Sequence, residues 1–474
     1  MSAAKRAGPP GPRGHWLLGS LPEFRSDLLG LLSEAAREHG DVARVRLGPA
    51  TSLLSLSHPD LIEEVLVTRE SEFVKHRFFW RHVSRLFGDG LLTSSGELWK
   101  RQHALIAPAF RQQRLALSAD AMVAAAAKLI AGWGDGEERD VRTDMTRLTL
   151  DIAARVLFDR ELDRSALDRI RLAVDQGSAE ISKRLRRLLP IADRVPTAGN
   201  RRYLAAVREL DAVAAEIIDE RRVRKQGRPD LLSTLLESRD AAGRPLDPRL
   251  VRDEVVTLLL AGHETTALSL TWTLYLLARH PEVAAKVEAE VDAVVGAERA
   301  PEAGDLPNLG YIAQVIGEAM RLYPPVYLVG RQTTRETELG GYRLPAATIL
   351  LMSQWVVHRD PRHFPDPASF RPERWTEPMG RALPRFAYFP FGGGPRICIG
   401  QPLALMEAKL VLATICQRFR LSDASAAPVH PYAEVTLRPN RPIRLRVARR
   451  QRADVNRAHP LPSAPTEREP GIRG

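Results

Sequence analysis

The stretch FPFGGGPRICIGQPLA occupies residues 389–404. Three consecutive glycines and a proline dictate a tight loop, and glycine also lets the backbone approach a flat ligand closely. The apolar spacing then takes the helical period, so QPLALMEAKLVLATICQRF (401–419) reads as a helix. Cys398 stands just before it, at the positive end of the helix dipole, where backbone N–H groups favour a thiolate. A buried cysteine in a glycine turn is the ordinary reading of such a residue. A phosphate-binding loop is another, but Ile397 holds a position that needs glycine and no Gly-Lys-Ser/Thr follows. The spacing of Phe391, Gly394, Arg396, Cys398 and Gly400 is more specific than either alternative.

Those five residues spell F-x-x-G-x-R-x-C-x-G, and the segment resembles the haem-binding loop of the cytochrome P-450 family of haem-thiolate monooxygenases. The resemblance implies haem b as cofactor and Cys398 as its axial iron ligand, with a thiolate that pushes electron density onto the metal. It places Phe391 near the sulfur and Arg396 on a haem propionate, with N–H groups of the loop around Gly394 and Gly400 tuning the sulfur. Outward from the loop, EAMR puts Glu318 and Arg321 on one helix face, and RPERW supplies Arg374. In the family such residues form a buried structural triad. GELWKRQHALIAPAF (96–110) is similar to the family's W-x-x-x-R helix, with Trp99 in place and His103 where the arginine stands. Arg331, after PPVYLVG, aligns with a second propionate arginine.

LLLAGHETTALSL (258–270) breaks helix rules. Gly262 costs a helix interior about 1 kcal/mol relative to alanine, and a carboxylate in an apolar run is costly unless paired or solvated. A zinc-protease H-E-x-x-H is excluded because Ala267 stands where the second histidine belongs. The segment instead resembles the family's A/G-G-x-D/E-T-T motif. By that resemblance Ala261 and Gly262 leave room for dioxygen, Thr265 hydrogen-bonds it and its waters, and Glu264 relays protons. Reducing dioxygen so that one atom leaves as water requires two electrons and two protons, hence the acid beside a hydroxyl. His263 carries no catalytic role and is expected to face neighbouring structure or solvent.

The fold class is mainly α with a small β-rich portion. The resemblance implies the cytochrome P-450 fold, with haem between a long central helix and the helix after the cysteine loop. Residues 1–446 are expected to form a single domain, and 447–474, polar and rich in proline and arginine, a disordered tail. The pattern predicts a helix over 28–40, a hairpin in VARVRLG–TSLLSLS, a helix from 59 to 67, helices throughout 96–297 and one long helix over 247–281. Strands flank the Gly-Gly turn of TELGGYRLPAATILLM, and VTLRPNRPIRLRV reads as a terminal hairpin.

With 69 Lys+Arg against 58 Asp+Glu the formal charge is +11. The arginines are dispersed without interleaved aromatics, which speaks against nucleic acid. Two cysteines make neither a zinc framework nor an evident disulfide and fit a reducing cytoplasm. The longest apolar runs fall well short of the roughly 20 residues that span a bilayer, so a soluble protein without a membrane anchor is expected.

By alignment with the family, Leu92, Val326, Tyr327, Leu328, Thr436 and Leu437 line the substrate pocket. Their apolar character implies a hydrophobic substrate such as a fatty acid, terpenoid or polyketide. Residues 160–200, including KRLRRLLPIADRVP, would cap its entrance. Electrons would come from a ferredoxin or flavodoxin with its reductase, docking on a patch that includes Lys100 and Arg101. The competing activity is that of a haem-thiolate peroxygenase or peroxide-rearranging enzyme. Such relatives often lose the acid–threonine pair that this chain keeps.

Overall fold

The computed structural model describes residues 8–49, 51–185, 192, 194–223, 230–239, 243–376 and 382–451. After a short helical turn over Leu21–Ser26, α1 (Leu28–His39) begins where the Asp27 carboxylate accepts the Gly30 N–H at 2.9 Å and stops at Gly40. The expected hairpin follows as β1 (Val42–Arg46) and β2 (Ser52–Leu56), paired antiparallel with Val42 opposite Leu56. The helix predicted for 59–67 starts at Pro59, but its second half widens into a π turn over Glu64–Thr68.

β3 (Phe73–Val74) leads into α2 (Arg77–Phe87) and α3 (Gly96–Ile106). The helical stretch then runs through α4 (Ala119–Ala131), α5 (Val141–Phe158), α6 (Arg164–Leu185) and α7 (Ala198–Val223), interrupted by the short β4 (Glu137–Asp140). α8 (Pro248–Arg279) is the long helix, 32 residues, roughly 50 Å at 1.5 Å per residue. The Asp247 carboxylate caps it and Pro248 opens it. Its middle and C-terminal half are buried on nearly every side, and α5 packs along it, the Thr149 hydroxyl donating to His263 O at 3.0 Å. α9 (Pro281–Val294), α10 (Gly310–Leu322) and α11 (Gln401–Arg418) complete the helical core.

β5 (Val329–Thr333) and β6 (Ile349–Met352) join the first three strands in a sheet of order β1-β2-β6-β5-β3. Its register sets Phe73 opposite Thr333 and Val74 opposite Gln332, which brings the start of α2 beside Arg331. Between them lies the expected Gly-Gly turn, Gly340 and Gly341 both taking positive φ between Thr337–Leu339 and Tyr342–Leu344.

The terminal hairpin departs from expectation. β9 (Leu437–Pro439) pairs with β8 (Pro431–Ala433), whereas β10 (Arg444–Arg449) pairs with β4 and with β7 (Phe419–Asp423). The buried Leu445 and Val447 of β10 join the main core and tie it there. The strand therefore passes residue 446, and of the expected tail residues 452–474 lie outside the described residues, as does half of the KRLRRLLPIADRVP segment.

Candidate active site

The cysteine loop is built by its own backbone. The Cys398 N–H donates to Phe391 O at 3.0 Å, and Ile397 N–H to Gly394 O at 3.1 Å. Gly394 has φ +68°, and a Cβ there would fall 1.9 Å from the Leu66 carbonyl oxygen, so only glycine fits. At Gly400 a Cβ would sit 3.8 Å from Cys398 Sγ, in ordinary contact. Burial pushes the Cys398 thiol up, and the N–H groups of Gly400 and Gln401 offset only part of this. A metal bound to the sulfur would favour the thiolate beyond what the helix end supplies.

Next to the loop stands a group of cations. Arg396 lies over the Trp99 ring at 4.1 Å, and Trp99 packs on His103 with ring centroids 5.1 Å apart. Arg396 also donates to Ser94 O at 3.0 Å. Lys75, not anticipated from sequence, donates to Ser94 O at 3.0 Å and to Leu92 O. Burial, with Arg396 and Arg331 adding to it, lowers the Lys75 amine to about 6. Burial and Arg331 lower the neighbouring His76 to about 4. Arg331 is itself depressed by burial, and Arg396 by burial and by Arg331, with Glu70 the one anion acting against either shift. None of the three basic side chains Lys75, Arg331 and Arg396 forms an ion pair among the described residues. Three mutually repelling donors beside a thiol suit a ligand with carboxylates and a metal, and thus fit haem.

On α8, Ala261 is exposed although Leu258–Leu260 are buried, and Thr265, one turn on, is half-buried on the same face. The Thr265 hydroxyl donates to Ala261 O at 2.8 Å and that of Thr266 to Gly262 O at 3.0 Å, so the helix runs on unbroken. Gly262 differs from expectation. A Cβ there would meet Ala153 and Leu157 of α5 at 3.8 and 3.9 Å, so the position faces α5. His263 is buried, its Nδ1 against Leu259 O at 3.0 Å.

Glu264 is clamped. Its Oε1 accepts from Thr436 Oγ1 at 3.0 Å and Arg438 Nε at 2.9 Å, with Arg438 Nη2 also bonded. Burial works to raise its carboxyl, but Arg438, His263 and Thr436 together hold it below the usual carboxylate range. Arg438 continues to Asp175 of α6 at 3.0 Å, which also takes Arg142 of α5 at 2.9 Å. Neither Arg438 nor Asp175 was legible as a site residue.

Glu318, Arg321 and Arg374 come together with side chains at most 2% exposed. Arg321 meets both carboxylate oxygens at 2.8–2.9 Å, and Arg374 Nε meets Oε1 at 2.8 Å. Trp375 Nε1 adds a fourth side-chain bond at 3.0 Å that sequence reasoning missed.

The expected substrate contacts divide. Leu92 is 37% exposed, and Val326 and Leu328 are half-buried. Tyr327 is instead buried, its hydroxyl on Glu434 O at 2.6 Å, and the fully buried Leu437 accepts Trp272 Nε1 at 3.1 Å. Thr436 serves Glu264. These three are structural because the hairpin docks against the segment after α10, Leu437 N–H donating to Pro325 O at 2.9 Å. A groove of about 1040 Å³ borders the cysteine loop, lined by Met320, Trp375, Phe391, Ile397 and Gln401. None of the expected substrate contacts lies in it.

The cysteine loop leads into α11, which packs on α8, and α8 carries the accessible Ala261 with Glu264 and Thr265 one turn on, an arrangement that suits a haem-thiolate oxygenase site. The cytochrome P450 family pattern matches residues 9–447, and the chain belongs to that family. It is 39% identical over 433 residues to cyclooctat-9-en-7-ol 5-monooxygenase of Streptomyces melanosporofaciens, covering 89% of this chain and 93% of that protein. It is 35% identical over 413 residues to pentalenene oxygenase of Streptomyces avermitilis, covering 87% and 91%. Among solved structures, a cytochrome P450DA heme domain superposes with TM-score 0.84 at 28% identity, over 95% of this chain and all of that one. The protein is a haem-thiolate monooxygenase by family. No helix among the described residues is long and apolar enough to cross a membrane.

Proposed function

We propose that this protein uses haem b, dioxygen and electrons from separate redox proteins to hydroxylate or epoxidise a terpenoid-like small molecule. The observation that carries the reading is the Cys398 loop beside Lys75, Arg331 and Arg396, three basic side chains that meet no carboxylate among the described residues. The names of the bacterial relatives, a cyclooctat-9-en-7-ol monooxygenase and a pentalenene oxygenase, support the substrate class.

Bound haem would supply the redox chemistry. Cys398 would hold its metal, and Arg396, Arg331 and Lys75 its carboxylates. Ala261 presents only a methyl group beside the open face of α8. Thr265 keeps both lone pairs free while its proton rests on Ala261 O, so its hydroxyl can accept from a water or switch to donate. The side-chain bonds to Glu264 fall on Oε1, leaving Oε2 to exchange protons with water. The ion pairs through Arg438 and Asp175 keep Glu264 ionised and ready to accept. An acidic ferredoxin or flavodoxin would dock on the basic surface around α3. There Arg101 is exposed, while Lys100 is already engaged with Glu97 at 2.7 Å.

Cys398→Ala tests the reading. The reduced, carbon monoxide-treated wild type should show the red-shifted thiolate band and the variant should lose it; a retained band would refute the ligand assignment. In the same wild-type preparation, turnover should be greater with a ferredoxin, its reductase and NADPH than with peroxide. The reverse would favour a peroxygenase.

A further inference from the structure

A second carboxyl group on α8, Glu254, is 1% exposed and has no part in the chemistry above. Ten residues separate it from Glu264, about 15 Å of helix rise, and it faces the loop between α2 and α3. Its Oε2 accepts the Leu91 N–H at 3.0 Å, while Oε1 has no hydrogen-bond partner among the described residues. Asp253 beside it accepts the Asp89 N–H at 2.8 Å. From α3, Gln102 Nε2 donates to Asp89 O at 2.7 Å, and its Oε1 accepts the Ser94 hydroxyl. Contact is close: a Cβ on Gly90 would fall 2.2 Å from Thr257 Oγ1 of α8. The loop is thus fastened to the central helix by two acidic side chains.

The same loop fixes the cations. Lys75 rests on the carbonyls of Leu92 and Ser94, and Arg396 on that of Ser94. Two of the three donors that would meet the haem carboxylates therefore take their place from a loop that takes its own from α8. We propose that Glu254 is a positioning residue that holds Lys75 and Arg396 in place through the 89–95 loop. The proposal rests on the haem reading above.

The surroundings favour the neutral form. On its own helix the nearby charges are Asp253 and Arg252, paired at 2.8 Å, with Arg252 also bound to Asp211 of α7. The loop offers Asp89, whose side chain is exposed, and α3 the uncharged Gln102. Burial pushes the Glu254 carboxyl up to about 7; the Leu91 N–H opposes this and Asp253 adds to it. Below that pH the neutral acid holds the loop. Above it, a buried carboxylate with an unpartnered oxygen must draw in water or shift its neighbours.

Transfer of haem from the holoenzyme to excess apomyoglobin, between about pH 6 and 8, reads the effect without turnover. In the wild type the transfer rate should rise several-fold through a midpoint near 7. Glu254→Gln should stay at the slow rate throughout, although Lys75 is still present to titrate. Asp253→Asn should move the wild-type midpoint to lower pH. A flat wild-type profile, a Glu254→Gln profile like that of the wild type, or an unmoved midpoint in Asp253→Asn would overturn this proposal alone. A wild-type holoprotein lacking the red-shifted carbon monoxide band would overturn the haem reading with it.

Discussion

Arg321 and Arg396 are both shielded guanidinium groups, yet they are satisfied to very different degrees. Arg321 donates five hydrogen bonds: two to Glu318 and one each to the carbonyls of His358, Pro367 and Ser369. That is the full donor capacity of the side chain. Arg396 has one, to Ser94, and Arg331 one, to its neighbour Gly330. A saturated arginine with a buried carboxylate holds the fold. An arginine with most donors unspent, set among other cations, holds a ligand. Charge and burial alone would not separate them; the account of donors does.

The comparison would break first at Glu318. Glu318→Ala strands two buried guanidinium groups, and denaturant unfolding should show a loss of about 3–5 kcal/mol. A loss below about 1 kcal/mol, the scale of a surface pair, would remove the structural half of the contrast. Arg396→Ala should act on the other half. One hydrogen bond to a charged group is worth about 1.5–3 kcal/mol, so haem retention should weaken roughly ten- to a hundredfold while the unfolding midpoint moves little. Unchanged haem retention with a large stability loss would erase the distinction. The smallest effect is expected at Gly262. With open contacts toward Ala153 and Leu157, Gly262→Ala should alter stability by no more than about 1 kcal/mol. Carbon monoxide binding should be unchanged; a marked slowing would return this glycine to the ligand face.

The legible parts of the site were those whose chemistry fits within a few residues. The loop from Phe391 to Gly400 carries its glycines, arginine and thiol at fixed spacing, and Glu318 and Arg321 sit one helical turn apart. Glu264 was legible for the same reason, but its partner was not. Arg438 lies far along the chain in a short strand, one arginine among many, and nothing local marks it as the counter-ion. Lys75 was hidden likewise, because its neighbour Arg331 reaches it only through the β3–β5 register. Tyr327, Thr436 and Leu437 were placed in the pocket by alignment with the family, which assigns a position in the chain but not the groups that each side chain meets. The long helix was legible as an element, while the direction of Gly262 required knowing that α5 lies against it. The β10 pairing was missed because its partners, β4 and β7, are remote in sequence from the apparent turn.

The β8–β9 turn bears on enzyme redesign. In swapping residues 434–438 between relatives to change which molecules are oxidised, one would also exchange Thr436 and Arg438, the groups that hold Glu264 ionised. A graft that omits the arginine would leave the Glu264 carboxylate on α8 without its counter-ion.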